Sequence, residues 1–254
     1  MIIDSHTHLG RNEHINVSVD ELLRSMDAAK IDKALVFAGK LNNHPNEDMY
    51  KNIAPHQDRL YGIAAWHPND TQHDLFLLER SIEEGKVQGV KFYLGYDHWY
   101  PTDLRIYDVL EILQEKKIPA IFHCGDCLCT VQQAKLKYAH PLGIDEVAVD
   151  HPNLKIVIAH MAYPWERDAA EVCYKNKNVF ADVSGFVYGD FDAKNVVDFK
   201  KVLDEFTTVA GGTDKLLFGS DFPISNQKSY VETIDDLIGM KTISENIHKV
   251  FNLL

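Results

Sequence analysis

Two histidines spaced two residues apart, His6 and His8, follow the apolar opening Met1-Ile2-Ile3 of the chain. On a β-strand successive side chains alternate faces, so both imidazoles leave the strand on the same side. Two neutral imidazoles at a strand's end can share one divalent metal ion. Taken alone, His-x-His is a short motif with many chance occurrences. The rest of the chain changes its weight. Lys91, His123 and His160 each lie at or near the C-terminal end of a short apolar run, and Asp221 directly follows another. Imidazoles, a carboxylate and one lysine, gathered from separate runs, are what metal-assisted bond cleavage needs: ligands, a proton acceptor and a group to orient the substrate.

The elements that would gather them are regular. Apolar, β-branched runs cover residues 1–5, 33–38, 60–65, 87–93, 118–123, 154–160, 179–184 and 215–220. Helical patterns lie between them, among others over 18–30, 71–84, 103–117 and 193–209. Ser18 precedes Glu21 by three residues and Thr71 precedes Asp74 likewise, the spacing of a capping box. Leu22, Leu23, Met26 and Ala29 form one apolar stripe at helical spacing. Eight β-α units with no linker, repeat or low-complexity tract predict a single domain over 1–254, a closed (β/α)8 TIM barrel of the α/β class. A doubly wound open sheet is the rival, but no strand runs into a Gly-x-Gly-x-x-Gly turn. Alternation then fixes facing. With Val90 and Phe92 outward, Gly89, Lys91 and Tyr93 point into the barrel; with Phe122 outward, His123 points in.

Bulk properties narrow the function. The 254 residues are 45% hydrophobic, enough for a sizeable core, and carry a formal net charge of −12, which disfavours nucleic acid and anionic membranes as partners. No apolar run reaches the roughly 18–20 residues of a spanning helix, and no basic, then apolar leader opens the chain. Four cysteines make no disulfide framework at this length. The expectation is a cytoplasmic protein with reduced thiols and a small-molecule substrate; a homo-oligomer is left open.

The segments Ile3-Asp-Ser-His-Thr-His8, Gly89-Val-Lys-Phe92, Phe122-His-Cys-Gly125, Pro152-Asn-Leu-Lys-Ile-Val-Ile-Ala-His160, Val179-Phe-Ala-Asp-Val-Ser-Gly185 and Lys215-Leu-Leu-Phe-Gly-Ser-Asp-Phe-Pro223 together resemble the amidohydrolase superfamily, in its amidohydrolase-related ("amidohydrolase 2") branch, over nearly the whole chain. The resemblance implies a distorted (β/α)8 TIM barrel with a catalytic divalent metal, commonly zinc, and His6, His8, His123 and Asp221 as its ligands. His160 is implied to orient or polarise the substrate, or to hold a second metal. Lys91 corresponds to the lysine that bridges two metals as a carbamate in binuclear relatives; the alternative is a cation that pairs with Asp182 or with a substrate carboxylate. The ligand set suits zinc, manganese, iron or nickel nearly equally.

Such a site implies a hydrolase of a small amide, ester or lactone, with water activated by the ion, Asp221 moving its proton and His160 stabilising the oxyanion. Decarboxylation of an aromatic or unsaturated carboxylic acid on the same scaffold is the alternative. Specificity is expected from the loops after the strands: Arg11, Trp66-His67-Pro68, the aromatic stretch Leu94-Gly-Tyr-Asp-His-Trp-Tyr-Pro101 and Tyr163-Pro-Trp165. Cys124, Cys127 and Cys129 lack the second pair that a thiolate metal site needs and are expected to be free thiols.

Overall fold

The eight apolar runs pair side by side in chain order, all parallel: β1 (Ile3–His8), β2 (Lys33–Phe37), β3 (Leu60–Ala65), β4 (Gly89–Phe92), β5 (Ala120–Phe122), β6 (Ile156–Ile158), β7 (Val179–Asp182) and β8 (Leu216–Leu217). The computed structural model describes residues 1–11, 15–39 and 44–253, with the side chain of Arg11 outside that set. The first and last strands meet through Ser5 N to Phe218 O (2.9 Å), Asp221 N to His6 O (2.9 Å) and His8 N to Phe222 O (2.7 Å), which closes the sheet into a barrel. The expected (β/α)8 architecture is the one observed.

Helices α1 (Val19–Ala29), α2 (Asn46–Ile53), α3 (Gln72–Glu83), α4 (Tyr107–Lys116), α5 (Gly143–Asp150), α6 (Glu166–Lys175), α7 (Ala193–Ala210) and α8 (Gln227–Ile238) each follow the strand of the same number, and a short α9 (Met240–Ser244) ends the series. Both capping boxes form. Ser18 Oγ accepts from Glu21 N while Glu21 accepts from Ser18 N, and Thr71 and Asp74 do the same. Each cap is worth about 1 kcal/mol by satisfying amides the helix leaves unpaired. The stripe on α1 buries Leu22, Met26 and Ala29 as its spacing predicts.

Period-two alternation divides the core in two. Leu35, Phe37, Ile63, Ile121, Val157 and Leu217 fill the barrel's interior, joined from the C-terminal segment by Ile247, Val250 and Phe251. Val36, Val90, Phe92 and Phe122 face the helices, with Phe92 and Phe122 stacked at 4.7 Å between centroids. Phe251 reaches the position where Gly89 begins β4, so this segment plugs the N-terminal end. The opposite, C-terminal end is left for polar side chains. Among the described residues no helix is long and apolar enough to cross a membrane.

Strand boundaries differ from expectation in two instructive places. β1 extends to His8, three residues beyond the predicted end, because Phe218 and Phe222 supply backbone partners on its far side. β6 stops at Ile158 rather than His160. His160, Met161 and Ala162 all have positive φ (60°, 48° and 53°), a left-handed run that no strand can continue.

Candidate functional site

The C-terminal end of the barrel collects the predicted residues. His6 and His8 project from β1, Lys91 from β4, and His123 directly follows β5. His160 is carried by the left-handed turn after β6, and Asp221 follows β8 with φ of 66°. Non-glycine residues in this region cost roughly 1–2 kcal/mol each. The chain holds two of them where their side chains enter one pocket, as strained functional positions often do.

Three of the four expected ligands converge. Asp221 Oδ1 lies 3.2 Å from His8 Nε2 and 3.6 Å from His6 Nε2. On its other edge, His6 Nδ1 is 3.0 Å from Asp182 Oδ2. A carboxylate accepts there, so Nδ1 carries the proton and Nε2 presents a bare lone pair to Asp221. Two lone-pair atoms facing one another across 3.6 Å repel unless a cation lies between them. A tetrahedral ion with bonds of about 2.05 Å holds its ligands about 3.3 Å apart, so the spacing and chemistry of this donor set fit a divalent metal. Among the described residues His8 Nδ1 is buried without a hydrogen-bond partner, and His8 therefore lacks the orienting bond that His6 has.

The electrostatics favour ligand protonation states. Burial pulls the His6 imidazole down to about 3, reinforced by the Lys91 charge, which keeps it neutral. For Asp221 burial favours the neutral acid, but the His8 hydrogen bond and the neighbouring His6 and His160 outweigh it and hold the carboxyl well below the usual range.

The fourth expected ligand stands apart. His123 Nε2 is 2.9 Å from the Asp126 carbonyl, which only accepts, so this nitrogen is an N–H, and His123 is not among the groups that converge with the trio. Its ring lies 5.0 Å from that of His160 and 4.7 Å from that of Tyr96. Cys127 Sγ is 3.9 Å from the same Nε2, and all four cysteines are free, as expected.

Lys91 is 1% exposed and forms no ion pair with a carboxylate among the described residues, so the suggested pairing with Asp182 is not formed. Its Nζ lies 3.5 Å from His6 Nε2 and 5.0 Å from the Phe37 ring centroid. Burial lowers its amine to about 8, with Asp182 and Asp221 pulling the other way.

A further layer supports these groups. Asp182 Oδ1 accepts from His160 N (2.9 Å), from Ser184 N (3.1 Å) and from the Ser184 hydroxyl. Ser184 Oγ also lies 2.8 Å from His160 Nδ1 and 3.1 Å from His6 Nδ1. Asp4, fully buried, accepts from Ser220 N, Ser220 Oγ, Gln227 Nε2 and His6 N, tying β1 to the segment that bears Asp221. Gly185 must be glycine: φ is +73°, and a Cβ would lie 2.6 Å from His160 Nδ1 and 3.1 Å from Asp221 Oδ2.

The pocket over these groups encloses about 130 Å³ and is walled by Tyr93, Tyr96, Leu128, Tyr163, Phe186 and Tyr188. Of the loop residues expected to set specificity, Tyr96 and Tyr163 line it. Trp66 and His67 line a neighbouring cleft of about 860 Å³, and Trp99 is buried. The side chain of Arg11 lies outside the described residues. Sequence reasoning gave no role to Ser184, Gly185, Phe186 or Tyr188. The signal available for Ser184 was parity: it shares a face with Asp182 on the run that forms β7.

Residues 3–252 match the family model described as Amidohydrolase. Among curated proteins nothing matches. Solved structures align over almost their full length. An uncharacterised TIM-barrel protein from Bordetella bronchiseptica is 19% identical with a TM-score of 0.76, over 98% of this chain and 97% of that one. An amidohydrolase from Burkholderia multivorans with bound zinc is 14% identical (TM-score 0.72, 99% and 96%). A dihydroxybenzoic acid decarboxylase from Polaromonas sp. JS666, with manganese and the inhibitor 2-nitroresorcinol, is 16% identical (TM-score 0.73, 98% and 96%). At these identities the likeness is one of fold.

Proposed function

Because the chain belongs to the amidohydrolase family, we propose that it is a metal-dependent enzyme that hydrolyses an amide, ester or lactone bond in a small, ring-bearing compound. The convergence of His6 Nε2, His8 Nε2 and Asp221 Oδ1 at the floor of an aromatic-walled pocket carries this reading. His6, His8 and Asp221 would hold the ion, with His123, which lines the same pocket, as the further candidate; zinc is our assignment, a metal present in one fold relative, while manganese is present in another. When bound, such an ion supplies Lewis acidity toward water or a substrate oxygen.

The chain's own groups do the rest. Asp221, held ionised, accepts a proton from water in the pocket and returns it to the leaving group. His160, beside His6, orients the reacting group. Tyr93, Tyr96, Phe186 and Tyr188 exclude water and stack on a planar ring. The free thiols fit our assignment to the cytoplasm.

One observation favours a second reaction. The Lys91 ammonium, buried beside the pocket with no carboxylate partner among the described residues, would suit a substrate carboxylate, and a fold relative is a decarboxylase. Metal content of protein purified without chelator, beside His6→Ala and Lys91→Ala, tests the metal. About one ion per chain, lost in His6→Ala and kept in Lys91→Ala, is expected. About two, falling in Lys91→Ala, would mean a carboxylated bridging lysine, and none would overturn the reading. Proton release on ester and lactone panels against carbon dioxide release from aromatic acids separates the two reactions.

A further inference from the structure

We infer that Ser184 is a positioning residue that locks His160 in the Nδ1–H tautomer, so that its Nε2 enters the pocket as a bare proton acceptor. The inference deepens the role given to His160 in the proposed function and rests on hydrogen-bond bookkeeping around one oxygen.

Ser184 Oγ has one hydrogen and three neighbours: Asp182 Oδ1, His160 Nδ1 at 2.8 Å and His6 Nδ1 at 3.1 Å. Two backbone amides, His160 N and Ser184 N, already point at Asp182 Oδ1. Amides can only donate, so that oxygen is an acceptor, and the hydroxyl hydrogen goes to it in the shortest of the three contacts. Oγ has then only lone pairs to offer His160 Nδ1. The other group at this nitrogen, the Ser184 carbonyl at 3.3 Å, also only accepts. Both neighbours require His160 Nδ1 to be an N–H.

A neutral imidazole protonated at Nδ1 has a lone pair at Nε2. The Nδ1–Cε1 edge packs on Gly185, where a Cβ would come within 2.6 and 3.2 Å of those two atoms. The remaining edge turns toward the pocket that His160 lines. His160 therefore accepts a proton or a hydrogen bond from what binds there; in its neutral form it cannot donate one to an oxyanion, the role that the family resemblance suggested.

Removing the hydroxyl leaves Nδ1–H with the carbonyl alone, at a separation beyond ordinary N–H···O bonds. The test is a long-range ¹⁵N–¹H correlation spectrum of protein labelled at histidine, metal-free and zinc-loaded, with His160→Gln identifying the resonance. In the wild type, a bare Nε2 and a protonated Nδ1 are expected at neutral pH. Ser184→Ala should lose this single pattern as the two nitrogens average, and Ser184→Thr, which keeps the hydroxyl, should restore it. An Nε2–H tautomer in the wild type overturns the inference, as does an unchanged pattern in Ser184→Ala. The wild-type spectrum decides the tautomer even if Ser184→Ala does not fold. Metal content is read separately, so a protein that binds no zinc would sink the proposed function while leaving the tautomer result standing.

Discussion

Replacing Gly185 with alanine tests how tightly the site is drawn together, and Gly189 provides an internal control. Both glycines have φ of +73°. Around Gly189 an added Cβ meets nothing within 4 Å, whereas at Gly185 it lies 2.6 Å from His160 Nδ1 and 3.1 Å from Asp221 Oδ2. The left-handed backbone costs each alanine variant about 1–2 kcal/mol. For a chain of this size that lowers the melting temperature by roughly 2–8 °C. Gly185→Ala carries an added demand. Ordinary van der Waals contact begins near 3.4 Å, so His160 must retreat by about 0.8 Å, the difference between 3.4 and 2.6 Å, and Asp221 by about 0.3 Å. Disturbance of groups around a metal commonly costs about 10–100-fold in affinity. The assay is zinc competition against a chromophoric chelator, beside thermal melts of both variants. Gly189→Ala should bind zinc like wild type, and Gly185→Ala about tenfold or more weakly. Equal zinc affinity in the two variants would refute the claim that Gly185 fits closely between His160 and Asp221.

Two more predictions concern the frame around the site. Tyr96 Oη accepts from Leu128 N at 2.8 Å while its ring packs on His123. Tyr96→Phe should cost about 1 kcal/mol and speed hydrogen exchange at the Leu128 amide; unchanged exchange would show that the bond is not formed in solution. Asp145 accepts from Asn176 Nδ2 and Lys175 Nζ, which hold its carboxyl below the ordinary 3.8. A depressed carboxylate contributes stability that is fully present above its unfolded pKa and lost as pH falls through the folded one. Urea unfolding should therefore show wild type more stable than Asp145→Asn at pH 6, with the gap narrowing as pH falls below 3.8; a constant gap would contradict the assignment.

Much of this protein is legible in one dimension. The eight apolar runs, the capping residues Ser18 and Thr71 and the facing of Lys91 and His123 follow from periodicities of 2 and 3.6 residues, which depend only on local backbone geometry. His6 and His8 share a face for the same reason. What local geometry cannot carry is the meeting of distant segments. Asp182 finds His6 across 176 positions of chain and Ser184 finds the same ring across 178. Only closure of the barrel between β1 and the segment after β8 brings Asp221 onto the histidines.

His160 shows the limit most plainly. Read as the end of a strand, it would follow the alternation of Ile156 and Ile158. In the folded chain three left-handed residues redirect it, and Ser184 and Gly185, just after the next strand, determine which edge of its ring can face the pocket. Strand and helix periods belong to the sequence because each residue's neighbours set them. Tautomer, ligand spacing and pocket wall belong to the tertiary structure, because each depends on atoms that only the folded barrel brings within hydrogen-bonding or van der Waals reach.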